Sequence, residues 1–523
     1  VGKLVRKTDK KRTKIVATIG PSSSQESVLR EMIRAGMDVA RINFSHGDHE
    51  MHARNIALIR RIAAEENAVV AIMGDLQGPK IRLGKVIGEP VPLRVGDRLT
   101  LTTRLNPAET AELSEAAKQH VYPLPHAEFV RDVRAGQRLL VDDGTIEFKV
   151  LTATSTDLHC EVIVEGALQS RKGVSAPESR LTLSALTEKD REDVKFALEH
   201  KLDYIAMSFV RSSKDIDELR WLCRYLNADD VAIIAKIEKS EALQAFDEIL
   251  RVSDGIMVAR GDLGVETPAE EVPIRQKEII RRCNEVGKPV ITATQMLQSM
   301  IDNPRPTRAE ASDVANAIFD GSDAVMLSGE TASGKFPVLA VETMANIAVI
   351  AEQNFDRVAR TDRVERALLA LGEARQVANM TGEGFAVATS RTASVLADLL
   401  NARAIVTTTW TGSTARQVAR TRPKTPILCV TPNETTLQRM ALVWGVIPIY
   451  VPEFSTIDEM VQTVVRACYD QELVEFGDVL VLIAGMPFGA GSQANFIKIH
   501  RVGEHGEVPQ TRIAAAAASA KFS

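Results

Sequence analysis

The chain has 523 residues, too many for one hydrophobic core, so roughly three domains are expected. Hydrophobic residues make up 45% and charged residues 25%, as in ordinary globular proteins, and a net charge of −5 with a pI near 6.1 gives no nucleic-acid footprint. Cys160, Cys223, Cys283, Cys429 and Cys468 are far apart with no CxxC spacing, which argues against a disulfide framework or zinc and fits a reducing cytoplasm; no apolar run reaches about 18 residues, so no membrane span is expected.

The opening residues Val1–Arg6 lack a signal-peptide apolar stretch, and Lys10-Lys11-Arg12 reads as a solvated basic arm. Short apolar runs then recur at 15–19, 39–44, 69–73, 204–209, 231–237, 256–258, 290–296 and 324–327. Amphipathic segments of helical length separate most of them. In Glu26–Gly36, for example, Val28, Leu29, Met32 and Ile33 share one face and Gly36 is the stop. Strands buried on both faces read as unbroken apolar runs. Eight such strands alternating with helices predict a (β/α)8 barrel, with a doubly wound open sheet as the alternative.

The interval between Asp75 and Tyr204 is too long for a loop. Within it, 95–101, 141–148 and 158–164 alternate apolar and polar residues, with Asp-Gly turn signals between them. A β-rich lid domain over 84–177 is expected, inserted after barrel strand three, where loops reach the active face. The barrel then comprises 1–83 and 178–350. From 351 to 503 a second set of strand-like runs, at 385–388, 404–406, 426–430, 446–451 and 479–483, with helices at 413–420 and 456–469, reads as a separate α/β domain. The alanine-rich stretch 504–523 reads as a flexible tail.

Polar groups gather where the barrel strands end. These are Arg41, Asn43, Ser45 and His46 after strand two, Asp75 after three, Lys236 and Glu238 after five, and Gly261-Asp262 after six. Thr292 and Thr294 follow on strand seven, and Ser328-Gly329-Glu330-Thr331 on strand eight. Side chains two apart on a strand share a face, so Lys236 and Glu238 point the same way. Polar groups at the carboxyl ends of many barrel strands mark a site, although each alone has a bland reading as a cap or a salt bridge. Glu238 and Asp262 suit Mg2+, with Mn2+ as a substitute, and the cations Arg41, Arg82 and Lys236 suit phosphate oxygens. There is no Walker sequence, serine elbow or His-Glu-x-x-His. The residues alone therefore indicate a Mg2+-dependent enzyme for an anionic, phosphorylated substrate and leave that substrate open.

Several stretches are long and specific: Thr18–Ser23, Arg41–Gly47, Ala235–Glu238, Met257–Glu266, Ala293–Leu297, Pro304–Glu310 and Met326–Ala332. Together, in order from about Lys14 to Val502, they resemble pyruvate kinase. The resemblance implies phosphoryl transfer from phosphoenolpyruvate to ADP, giving pyruvate and ATP, in a cytoplasmic homotetramer. It implies Glu238 and Asp262 as metal ligands, Lys236 as the group stabilising enolate and phosphoryl charge, and Gly261, Asp262 and Thr294 around the substrate, with Thr294 and Ser328 in a proton relay. Arg41 and Arg82 fall on phosphate-contacting positions, and Asn43, His46 and Lys172 on nucleotide positions. A sensor barrel without turnover, or a lyase or mutase on a related substrate, are the alternatives; retention of Lys236, Glu238, Asp262 and Thr294 weighs against the first, and the inserted lid with the C-terminal domain against the second.

Two features go further. Thr409, Thr411, Gly412, Ser413 and Thr414 open a helix after a strand, a bland capping motif that the resemblance turns into the phosphate site of a sugar-phosphate or nucleotide effector. At the position of the family's monovalent-cation site, Asn43, Ser45 and Asp75 are kept. The threonine ligand is Leu76 and the glutamate is Lys80, which resembles members that do not require K+. A strand continuing past Asp75 would aim Lys80 and Arg82 to one side, toward the barrel mouth.

Overall fold

A computed structural model describes residues 11–106, 110–354, 382–489, 493–504 and 506–508. Eight parallel strands close into a barrel in sequential order. They are β1 (Lys14–Ile19), β2 (Val39–Asn43), β3 (Ala71–Asp75), β4 (Tyr204–Met207), β5 (Ala232–Ile237), β6 (Gly255–Ala259), β7 (Val290–Ala293) and β8 (Ala324–Leu327). Strand β1 pairs in parallel with both β8 and β2, which completes the ring. All eight expected strands are present. Most of their residues are buried, as the unbroken apolar runs require.

Period-2 alternation divides each strand between two cores. Ile15, Ala17 and Ile19 face the surrounding helices, whereas Val16 belongs to the barrel interior with Val39, Met73, Ala206, Ile234 and Met257. Continuing that inward parity upward reaches Thr18, Arg41, Asp75, Ser208 and Lys236. The barrel interior is therefore apolar below and polar at its carboxyl mouth. Amphipathic helices seal the outside; Glu26–Ala35, for example, buries Leu29, Met32 and Ile33 and stops at Gly36, whose φ of 120° suits glycine.

Between β3 and β4 lies the inserted β-rich region, with a six-stranded sheet whose own core includes Leu101, Phe129, Phe148 and Val162. The stretch 141–148 is not one strand. It is a hairpin, with Arg138–Val141 and Ile146–Ala153 joined through Asp142, Asp143 and Gly144, all at positive φ. Helices Thr110–Lys118 and Ala127–Asp132, absent from the sequence reading, fill the remainder. No strand continues past Asp75; Arg82 alone makes an isolated bridge, to Gly173. The backbone between them is set instead by Asp190, whose carboxylate accepts the Gly78 N–H.

The C-terminal sheet runs Val446–Tyr450, Ile427–Thr431, Ala404–Thr408, Val479–Gly485, Ala494–Arg501, with the last strand antiparallel. That edge strand was not anticipated. Residues 385–388, expected as a strand, lie inside the helix Gly382–Leu399. The run is short and apolar and fits either period; the helix shows itself only beyond it, where Ser390, Ala393 and Ala397 are buried at helical spacing. Of the expected tail, Glu507 is buried against His500, and residues 505 and 509–523 lie outside the described residues. No helix among the described residues is long and apolar enough to cross a membrane.

The C-terminal unit is seated on the amino-terminal face of the barrel. Ala441 and Leu442 join the barrel's interior core. Tyr204 donates its hydroxyl to Arg439 O, and Lys14 donates to Val446 O. Lys11 and Arg12 do not form a solvated arm: Lys11 is buried against Asp38, and the Arg12 N–H donates to the Glu352 carboxylate (residue 10 lies outside the described residues). One buried junction is Arg422, whose guanidinium bonds Asp323 at 2.9 Å, Asn284 at 2.9 Å and Gly321 O at 2.7 Å and stacks over Trp444. Breaking such a buried pair from one side leaves the other charge uncompensated. Arg422→Met is expected to cost about 3–5 kcal/mol, read as an earlier urea transition by circular dichroism.

Candidate active site

The polar mouth of the barrel is built around one ammonium. Lys236 Nζ lies 3.1 Å from Asp75 Oδ1, 2.9 Å from Glu238 Oε1 and 2.7 Å from Ser208 Oγ. Asp75 is also held through Oδ2 by Arg41 Nε at 2.7 Å, and Arg41 donates further to Thr18 Oγ1. Five neighbouring strands thus supply one hydrogen-bonded layer. Ser208 donates to Leu76 O, which fixes its hydroxyl so that its lone pair faces Lys236. Neither Ser208 nor Thr18 was singled out by sequence. Ser208 follows the inward parity of Tyr204 and Ala206, the one signal that would have revealed it.

Burial by itself would lower the Lys236 pKa, but the charges of Asp75 and Glu238 outweigh it and hold the ammonium protonated. Asp75 is likewise buried, yet Lys236 and Arg41 keep it below its ordinary range. Glu238 shifts the other way. Burial raises it beyond what Lys236 offsets, and the neighbouring charge of Asp262 adds to the rise.

Asp262 sits in the first turn of the helix Arg260–Glu266, directly after β6, and makes no ion pair among the described residues. Two adjacent carboxylates, one lacking a cationic partner, form a donor set that a divalent cation would relieve. No group of three or more His, Cys, Asp or Glu side chains gathers for a metal among the described residues. That does not suit an all-protein zinc or calcium cage. It suits Mg2+, which typically uses one or two carboxylates and takes its other ligands from water and phosphate oxygens.

Thr294 directly follows β7 at φ 70°, a strained value for a β-branched residue. Its hydroxyl accepts the Gly261 N–H at 2.8 Å and donates to Ala293 O, while Arg260 donates to Thr294 O. The β6 and β7 ends are thereby locked together. No hydrogen bond joins Thr294 to Ser328 among the described residues; the Ser328 N–H donates to Glu330 instead. Glu330 and Thr331, grouped with the site by sequence, are fully buried and structural, Glu330 accepting the Leu297 N–H and Thr331 donating to Thr18 O. Thr292 is also internal, bonded to Ser322.

The remaining candidates surround this layer. Asn43 contacts His46 at 3.3 Å and accepts the Ser45 N–H, leaving His46 exposed at the rim. A cavity between barrel and lid is lined by Lys80, Glu238 and Asp262 below and by Leu140 and Val174 above. Arg82 donates to Arg171 O and Lys172 pairs with Asp142, so both are engaged on the lid side rather than with Arg41. Far from the mouth, Thr409 Oγ1 accepts the Gly412 N–H, Thr414 is buried, and Thr411 and Ser413 are exposed.

Lys236→Met is expected to lower turnover at least ~10²-fold with the fold retained by circular dichroism, because a preorganised charge is lost. Ser208→Ala, which removes one hydrogen bond to an ammonium still held by two carboxylates, is expected to cost about tenfold in kcat.

Comparison with known proteins identifies the family. Residues 10–341 match the family model "Pyruvate kinase, barrel domain", and residues 387–500 match "Pyruvate kinase, alpha/beta domain". The chain is 46% identical over 496 residues to pyruvate kinase 2 of Synechocystis sp., covering 94% of this chain and 79% of that protein. It is 43% identical to pyruvate kinase of Clostridium perfringens over 491 residues, 94% of this chain and all of that protein. A third relative, pyruvate kinase of Geobacillus stearothermophilus, is 44% identical over 497 residues, 95% of this chain and 81% of the relative.

Proposed function

This chain belongs to the pyruvate kinase family, and from that premise we propose how its residues divide the work of the reaction. The reaction is transfer of the phosphoryl group of phosphoenolpyruvate to ADP, giving pyruvate and ATP. Lys236 and Arg41 face the charge that develops on the enolate and the phosphoryl oxygens. The observation that carries this assignment is the Lys236 ammonium, locked at the barrel mouth by Asp75, Glu238 and Ser208. Such donors act without reorganising, the main requirement for phosphoryl transfer.

Glu238 and Asp262 would hold the divalent cation, Mg2+ or Mn2+, which supplies further positive charge beside the phosphoryl group. The Gly261 backbone and the Thr294 hydroxyl contact the substrate carboxylate, and Thr294 and Ser328, which are not bonded to each other here, help relay a proton from solvent to the enolate. Asn43, His46, Arg82 and Lys172 receive the nucleotide, the last two as the lid closes and excludes water that would compete with ADP. A division into 1–83 with 178–350, 84–177 and 351–503 fits these roles. A homotetramer in the cytoplasm completes the reading, supported for the compartment by five cysteines that are all free and buried.

The same reading makes the enzyme independent of K+. Leu76 is buried and apolar, so its side chain offers no oxygen. Both carboxylate oxygens of Asp75 are taken by protein cations, and Lys80 lines the cavity with Glu238 and Asp262. Placing Lys80 where the family has glutamate plus K+ adds net positive charge, so position rather than charge balance must make the exchange work. Full activity is expected in tetramethylammonium buffer with Mg2+, and Lys80→Glu is expected to create K+ activation, both assayed at constant ionic strength. Several-fold K+ activation of the unmodified protein would reject this.

An effector phosphate is assigned to Thr409, Thr411, Gly412, Ser413 and Thr414. The helix start at Ser413–Arg420, without a side-chain cap and with hydroxyls beside it, supports it, as does the positive φ of Gly412, which favours glycine there. Sugar phosphates or nucleotide monophosphates are expected to shift the phosphoenolpyruvate saturation curve, and Thr411→Glu to abolish the shift. An intact shift in that variant means the loop is only a cap.

A further inference from the structure

Glu238 follows β5 and Asp262 opens the helix after β6, and the pairing of those two strands reaches neither carboxylate. The β5–β6 pairing ends at Ile237 opposite Val258, before either carboxylate is reached. Their like charges also repel. A buried ion pair outside the reacting layer joins the end of β5 to that helix. Lys239, the residue after Glu238, places Nζ 2.5 Å from Glu266 Oε1, with side chains 10% and 4% exposed. Glu266 is the last residue of the seven-residue helix whose first turn carries Asp262.

A third element closes the circuit. The Lys239 ammonium lies 5.5 Å from the centre of the Phe209 ring, and the Phe209 N–H donates to Glu238 Oε2 at 2.7 Å. Phe209 makes that bond from φ 56°, a strained conformation for a bulky residue, which persists only where its surroundings over-determine it. Gly78 supplies part of that enclosure, since a Cβ there would come within 2.7 Å of the ring. Phe209, Glu238, Lys239, Asp262 and Glu266 all line the cavity between barrel and lid.

We propose that Lys239 and Glu266 are positioning residues, a latch that sets the spacing of Glu238 and Asp262 and thereby the affinity of the site for its divalent cation. The proposal rests on the assignment of those two carboxylates as metal ligands. Lys239 and Glu266 pair with each other and act through the ends of β5 and of the helix after β6. Supporting groups around a metal typically contribute 10–100-fold in affinity.

The test is equilibrium Mn2+ binding to the full-length protein without substrate, followed by electron paramagnetic resonance, alongside thermal unfolding. A buried ion pair replaced on both sides by apolar residues often costs no stability. Lys239→Met combined with Glu266→Met is therefore expected to unfold near the parent temperature and yet bind Mn2+ about 10-fold more weakly, or worse. Glu266→Asp keeps both charges but shortens the reach, and is expected to weaken binding by less. If the double variant does not fold, Glu266→Asp decides by the same measure. Parental Mn2+ affinity in these variants, with affinity lost in Asp262→Asn, overturns the latch and leaves the ligands standing. Parental affinity in both Asp262→Asn and Glu238→Gln overturns the ligand assignment and the latch with it.

Discussion

A protonated lysine buried at the mouth of a barrel is an expensive object, and much of the site follows from keeping it charged. An isolated ammonium there would lose its proton. Asp75 and Glu238 prevent that, and each then needs its own partner. Asp75 takes Arg41, and Arg41 takes Thr18; Glu238 takes the Phe209 N–H. The chain of compensation runs through β1, β2, β3, β4 and β5. This explains why the polar layer is continuous, and why a single charge deletion there propagates beyond its own contact.

The arrangement also separates two kinds of carboxylate. Asp75 is bonded on both oxygens to cations and is structurally saturated. Glu238 is bonded to Lys236 and to the Phe209 N–H, and burial with the neighbouring charge of Asp262 raises it beside the open cavity. Two carboxylates that share one ammonium are thus shifted in opposite directions by their neighbours.

The eight barrel strands were legible because burial on both faces writes an apolar run into each, and the strand-end residues because polarity breaks those runs. Lys236 and Glu238 were placed together correctly by period-2 parity alone. What was not legible depended on partners distant in sequence. Ser208 looks like a loop serine until β3 and β5 flank it. Glu330 and Thr331 look available until their backbone partners enclose them. The helix over 385–388 was lost because a short apolar run fits either period, whereas the hairpin at 141–148 was signalled by its own Asp143-Gly144 turn, which the alternating pattern around it obscured. The strain at Phe209 and Thr294 has no sequence signature at all.

The floor of the barrel carries a different lesson. Leu442 and Ala441 are packed among Val16, Ile234 and Met257, so one wall of the barrel's interior is contributed by residues that follow β8 at a great distance along the chain. During synthesis β8 is complete roughly a hundred residues before Leu442 exists, an interval on the order of ten seconds at ordinary elongation rates. Over that interval the nascent barrel has all its strands and an open apolar base. The ribosome-bound chain therefore presents a binding site for its own C-terminal portion, and, until that portion emerges, for whatever chaperone shields exposed hydrocarbon.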